Sequence, residues 1–117
     1  MKIVFLGISF FLLMSFSWNT KIEANVDVCA IIDQLITEVN LITTINNKIP
    51  FIEKLENAKA SVKTGNWTAA TGKLNAFITS VDGANLTSIK SNQKVNLRTK
   101  AGTALKAIKE NKASCGS

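Results

Sequence analysis

The chain has 117 residues, no histidine, no tyrosine and only two cysteines, which removes most metal-ligating and general-base arrangements at the outset. Its formal charge is +6, from 14 Lys and Arg against 8 Asp and Glu. A chain of this length builds one small hydrophobic core, which excludes a two-domain enzyme.

Residues 1–24 read as a secretory signal peptide: Lys2 gives a positive start, residues 3–18 carry no charge, and Ala24 ends the polar stretch that follows, with Ile22 two places before it. The alternative is an uncleaved anchor. A spanning helix needs about 20 apolar residues, and this run breaks at Asn19, Thr20 and Lys21. Cleavage after Ala24 leaves 117 − 24 = 93 residues, one helical domain over 25–117. No second long apolar run follows, so no membrane span is expected after cleavage and the protein is expected to be secreted.

From Val26 onward the apolar residues have a helical period. Val28, Ile32, Leu35, Val39 and Ile42 recur at steps of four and three, with Ile31, Ile36 and Ile45 widening the stripe. The β-branched content points to a strand, but a run of about 20 residues is too long for one. Asn46, Asn47 and Lys48 form a loop, and Pro50 suits the first turn of a second helix. That helix carries Phe51 or Ile52, Leu55, Ala58 and Val62 on one face, and Gly65 stands where a helix end takes a left-handed residue. Asn66 caps a third helix bearing Trp67, Ala70, Leu74, Phe77 and Val81, closed by Asp82 and Gly83.

Residues 84–87 read as a loop, and the stretch after them is irregular, because Ile89 and Val95 share no clean stripe. From Leu97 a fourth helix is predicted through Ala101, Ala104, Leu105 and Ile108, weakened by Gly102, with residues 114–117 as a tail. Four helices with short connections predict an all-α, up-down-up-down four-helix bundle. That order places Cys29 and Cys115 at the same end. An even cysteine count in an oxidising compartment independently predicts one disulfide between them.

Charge is unevenly spread. Residues 84–117 hold six lysines and Arg98 against Glu110 alone, so Lys90, Lys94, Arg98, Lys100, Lys106 and Lys109 are the candidate surface for an anionic partner. The bland alternative is a solvated face that maintains solubility. Nucleic acid is not expected, because Arg98 is the sole arginine and no aromatic is interleaved with the lysines. No metal or cofactor motif occurs. Glu53 and Glu56 lie beside Lys54 and Lys59 and read as solvated charges rather than a catalytic pair. Trp67 either closes one end of the core or meets a sugar or protein partner. Asn66-Trp67-Thr68 and Asn85-Leu86-Thr87 match the N-glycosylation pattern, which has meaning only in a eukaryotic host.

Residues 51–81, FIEKLENAKASVKTGNWTAATGKLNAFITSV, resemble the FIMAH domain family, a small helical module found mostly as an accessory region of bacterial secreted and surface enzymes. The resemblance is carried by Leu55, Ala58, Gly65, Ala70, Leu74, Phe77 and Ile78, and extends loosely over about 29–110 through Ala101, Leu105 and Ile108. This chain departs from the family by standing without a catalytic domain and by its cysteine pair. The resemblance implies an extracellular, non-catalytic helical domain and brings no catalytic residues with it. Two functions follow as expectations: an interaction module for a protein or an anionic cell-envelope polymer, or a carrier of a small apolar ligand between its helices.

Overall fold

The structure is a computed structural model and describes residues 25–115. The expected signal peptide over 1–24 lies outside the described residues, as do residues 116 and 117. Strand β1 (Val26–Asp27) leads into α1 (Val28–Leu41), followed by α2 (Ile49–Lys63), α3 (Trp67–Gly83), α4 (Ser91–Lys109) and strand β2 (Ala113–Ser114). The helices make the expected four-helix bundle. Each packs on its neighbour in sequence, and α1 packs on α4 to close the ring.

Local chemistry sets the helix ends. The Asp27 carboxylate accepts from the Ala30 N–H at 2.9 Å and caps α1. Pro50 occupies the first turn of α2, where its missing N–H leaves no hydrogen bond unmade. Gly65 ends α2 in the left-handed region at φ 76°. Around it Asn66 N–H reaches Ser61 O at 2.8 Å and Gly65 N–H reaches Val62 O at 3.1 Å, the paired bonds of a Schellman turn. The Asn66 side chain then accepts from Ala69 N–H at 3.1 Å, so one turn stops α2 and starts α3.

The apolar stripes meet inside. Val28, Cys29, Ile32, Leu35 and Val39 of α1 face Leu55, Ala58 and Val62 of α2, Ala70, Leu74, Phe77 and Val81 of α3, and Leu97, Ala101, Ala104 and Ala107 of α4. Fully burying one of the large aliphatic or aromatic side chains contributes about 1.5–3 kcal/mol. The alanines keep the backbones of α2, α3 and α4 close, and Phe77 fills the space between, edge-on to Phe51 at 6.4 Å. Among the described residues every buried one lies between Val28 and Ala107. At the rim, Asp33–Lys59 at 2.8 Å joins α1 to α2, Asp82–Arg98 at 3.2 Å joins α3 to α4, and Glu38–Lys100 joins α1 to α4. Exposed pairs of this kind contribute about 0–1 kcal/mol each.

Three boundaries differ from the sequence reading. First, α1 stops at Leu41, and Ile42 turns to extended backbone at ψ 97°. Ile42 and Ile45 are buried nonetheless, because the loop folds over the end of the core instead of prolonging the helix. Second, α4 begins at Ser91, six residues before Leu97. Its first turns show no stripe because Val95 faces solvent, while Ile89 is buried just ahead of the helix. Third, the expected tail includes β2, which runs parallel to β1 with Val26 opposite Ala113 and Asp27 opposite Ser114. A two-residue ladder has no periodic signature, so nothing in the apolar pattern could announce it.

Candidate functional site

The two ends of the described segment meet beside the disulfide. Cys29 and Cys115 are bonded with Cα atoms 4.8 Å apart, as the up-down-up-down order requires. The clasp continues on either side: Val26 N–H donates to Lys112 O at 2.6 Å, and the Ser114 hydroxyl donates to Val26 O at 3.2 Å. A second Schellman turn delivers the chain there. Lys112 N–H reaches Ala107 O at 2.8 Å and Asn111 N–H reaches Ile108 O at 3.2 Å, with Asn111 itself left-handed at φ 59°.

Trp67 stands at this end and does not close the core. It is 38% exposed, because Ala70 and Leu74 take the inward positions of α3 and leave the first residue of the helix at the rim. Trp67, Ile108, Asn111 and Ala113 line a groove of about 140 Å³. An adjoining depression of about 320 Å³ is lined by Trp67, Thr68, Thr71 and Ile108. Apolar rings and methyls thus lie beside hydroxyl and amide groups, with Lys109 and Lys112 flanking Ile108 and Asn111 along the chain.

The six candidate cations are distributed by the fold. Lys94, Lys100 and Lys106 are spaced six residues apart, so on a helix they point in three directions about 120° apart. Lys94 turns to the end of α3, where its ammonium donates to Asp82 O at 3.0 Å and to Ala84 O. Arg98 pairs with Asp82 on the same side. Lys100 turns to α1 and pairs with Glu38, which also accepts from Asn96. Lys90, Lys106 and Lys109 are exposed, with no side-chain ion pair among the described residues. The structure therefore does not gather the six into one stripe: three serve helix–helix contacts, and Lys106 and Lys109 join Lys112 near the clasped end.

Compared with models of known protein families, with curated proteins and with solved structures, the chain matches none of them. Its own geometry carries the functional reading. Among the described residues no group of three or more His, Cys, Asp or Glu side chains is placed to hold a metal ion. No helix there is long and apolar enough to cross a membrane. Asn66 and Asn85, of the two glycosylation patterns, are both exposed. Glu53 and Glu56 are exposed on α2. The grooves between α1 and α2, at Asp33, Ile36, Lys59 and Lys63, and between α1 and α4, at Leu41, Ile42 and Asn96, both open on solvent.

Sequence reasoning missed the role of Ser114 and Lys112 in the clasp. Lys112 acts through its backbone carbonyl and Ser114 through a hydroxyl aimed at Val26 O, and both contacts depend on the register in which distant segments meet. The four-helix order and the single cysteine pair Cys29 and Cys115 were the signals that these two segments meet.

Proposed function

We propose that this protein is an extracellular, non-catalytic binding module whose clasped end takes an anionic cell-envelope polymer built from sugar units. The observation that carries the reading is the exposed Trp67 over Ile108, beside Asn111, Thr68 and Thr71. A flat indole offers an apolar face to a sugar ring while neighbouring polar groups fix its orientation. Lys106 and Lys109 supply positive charge on the adjoining part of α4, while Lys112 at its exit pairs with Glu110 at 3.7 Å. Export is supported by the leader pattern and by the disulfide, which persists in oxidising compartments. The FIMAH resemblance belongs to the same proposal and rests on the sequence pattern of Leu55, Ala58, Gly65, Ala70, Leu74, Phe77 and Ile78.

Trp67 is the only tryptophan in residues 25–117, so its fluorescence reports on the groove directly. Titration with a teichoic-type polymer at low salt should shift the emission, and Trp67→Ala should abolish binding with little change in melting temperature. Binding should fade toward physiological ionic strength, where the Debye length is about 8 Å. An emission spectrum indifferent to the polymer at low salt sinks the reading.

A protein partner is the second reading, favoured by the apolar Ile108 and Ala113 in the same groove. Its mark would be binding that survives physiological salt. The carrier reading draws no support from the grooves described, all of which are open at the surface.

A further inference from the structure

The end of the bundle opposite the disulfide has a different composition. Here α1 ends, α2 begins, α3 ends and α4 begins, and the two connecting loops touch: the Thr44 hydroxyl donates to Ser88 O at 2.6 Å. Beneath that bridge Ile42, Ile45 and Ile89 are buried, so the loops are held down by their own apolar underside. Above it three large aliphatic side chains project into solvent. Leu41 is 72% exposed, Ile49 63% and Leu86 62%. They stand at the end of α1, the start of α2 and in the α3–α4 connection, Leu41 also bordering the open groove between α1 and α4, and their exposure offers apolar points to a surface.

The tip is also basic. Lys48 donates to Asn40 O at the end of α1 at 2.6 Å, and Lys94 donates to Asp82 O and Ala84 O at the end of α3. Two lysines thus cover the carbonyl ends of the two helices that terminate here, offsetting the negative ends of their dipoles. Lys90, at the start of α4, is exposed with no side-chain ion pair among the described residues. The acids nearest in the fold are Asp82, paired with Arg98, Glu38, paired with Lys100, and Glu53, one turn into α2.

From this geometry we propose that the tip is a membrane-surface contact, in which Leu41, Ile49 and Leu86 enter the headgroup boundary of an anionic phospholipid bilayer while Lys48 and Lys90 lie against its phosphates. Interfacial binding combines buried apolar area with attraction to anionic lipid, and both components are present on one rigid end. Leu41 and Ile49 sit at helix ends and Leu86 in a loop bridged by Thr44 and Ser88, so none of the three segments need refold to insert. The proposal concerns the end opposite Trp67 and stands independently of the polymer reading; together the two ends would hold the protein between membrane and envelope.

The test is co-flotation of residues 25–117, disulfide intact, with vesicles of equal parts phosphatidylglycerol and phosphatidylcholine at low salt, beside vesicles of phosphatidylcholine alone. The protein should float with the anionic vesicles and much less with the neutral ones. Leu41→Asp, Ile49→Asp and Leu86→Asp combined should reduce the bound fraction at least tenfold, Lys90→Ala should reduce it several-fold, and Lys106→Ala at the other end should leave it unchanged. A Leu86→Trp variant keeps the tip apolar and guards against a misfolded triple variant: its added emission should shift to the blue on anionic vesicles, while Trp67 in the unaltered protein should not respond. Absence of flotation with anionic vesicles, a triple variant that floats like the parent, or a Leu86→Trp emission blind to the vesicles would each overturn the proposal. A dimer in sedimentation velocity that the triple variant dissociates would assign the tip to a second copy of the chain and overturn it equally.

Discussion

The two ends of this bundle are closed by different means. At one end a disulfide, a two-residue parallel ladder and the Ser114 hydroxyl bond join the termini, so closure is covalent and backbone-mediated. At the other end the α1–α2 and α3–α4 loops are sealed by the buried side chains Ile42, Ile45 and Ile89 and by one hydroxyl bond from Thr44 to Ser88. The clasped segments lie 86 residues apart with no short loop between them, so only a crosslink or pairing holds them together. Loops are already connected, and they close once they bury enough apolar surface. The difference also decides what each end displays: a groove with an indole and polar neighbours where the chain is clasped, and projecting aliphatics where the loops turn.

The largest effect should come from the element that both ends share. Phe77 is fully buried in the middle of α3, against Phe51, and Phe77→Ala should destabilise the fold by about 3–5 kcal/mol. Thermal melting reads this, and amide exchange should quicken at both ends alike. An unchanged melting temperature would mean that the packing described for α3 is incorrect.

Replacing the disulfide tests whether the ends are independent. Cys29→Ser with Cys115→Ser should cost about 2–4 kcal/mol, mostly through the unfolded chain, and leave the helical circular dichroism largely intact at ambient temperature. Hydrogen exchange should accelerate at Val26, whose N–H holds Lys112 O, and stay slow at Ile89, at the loop end. Equal acceleration at both places would erase the distinction between a covalent and an apolar closure.

Smaller changes sharpen it. Gly65→Ala should cost about 1 kcal/mol, since φ 76° is unfavourable for a residue with a Cβ. No neighbouring atom lies within 4 Å of the added methyl, so the loss comes from backbone strain and not from a clash. Denaturant melts with an unchanged m-value would show it. Thr44→Val removes the bridge between the loops and should cost about 1 kcal/mol, with faster exchange confined to residues near Ile45 and Ile89. A loss above about 2 kcal/mol there would show that the hydroxyl bond, rather than the buried isoleucines, seals the loop end.

The amino-acid sequence by itself determined the number of helices, most of their inward positions and the turn at Gly65-Asn66, while on α4 Ala107 is buried and the expected Leu105 and Ile108 only partly so. Those features follow from spacing along one segment: apolar residues three and four apart must share a helix face, and a glycine followed by asparagine meets the demands of a helix stop and a helix start. The pairing of Cys29 with Cys115 was legible too, since an up-down-up-down order returns the chain to its starting end. Only the tertiary structure decided that Ile42, Ile45 and Ile89 seal the core from outside any helix, that Val26 pairs with Ala113, that Trp67 stands at the rim, and that Lys94, Arg98 and Lys100 turn toward α3 and α1. Each of these depends on which segments from distant parts of the chain come to lie side by side, and burial, strand pairing and ion pairing are properties of that juxtaposition and not of local spacing.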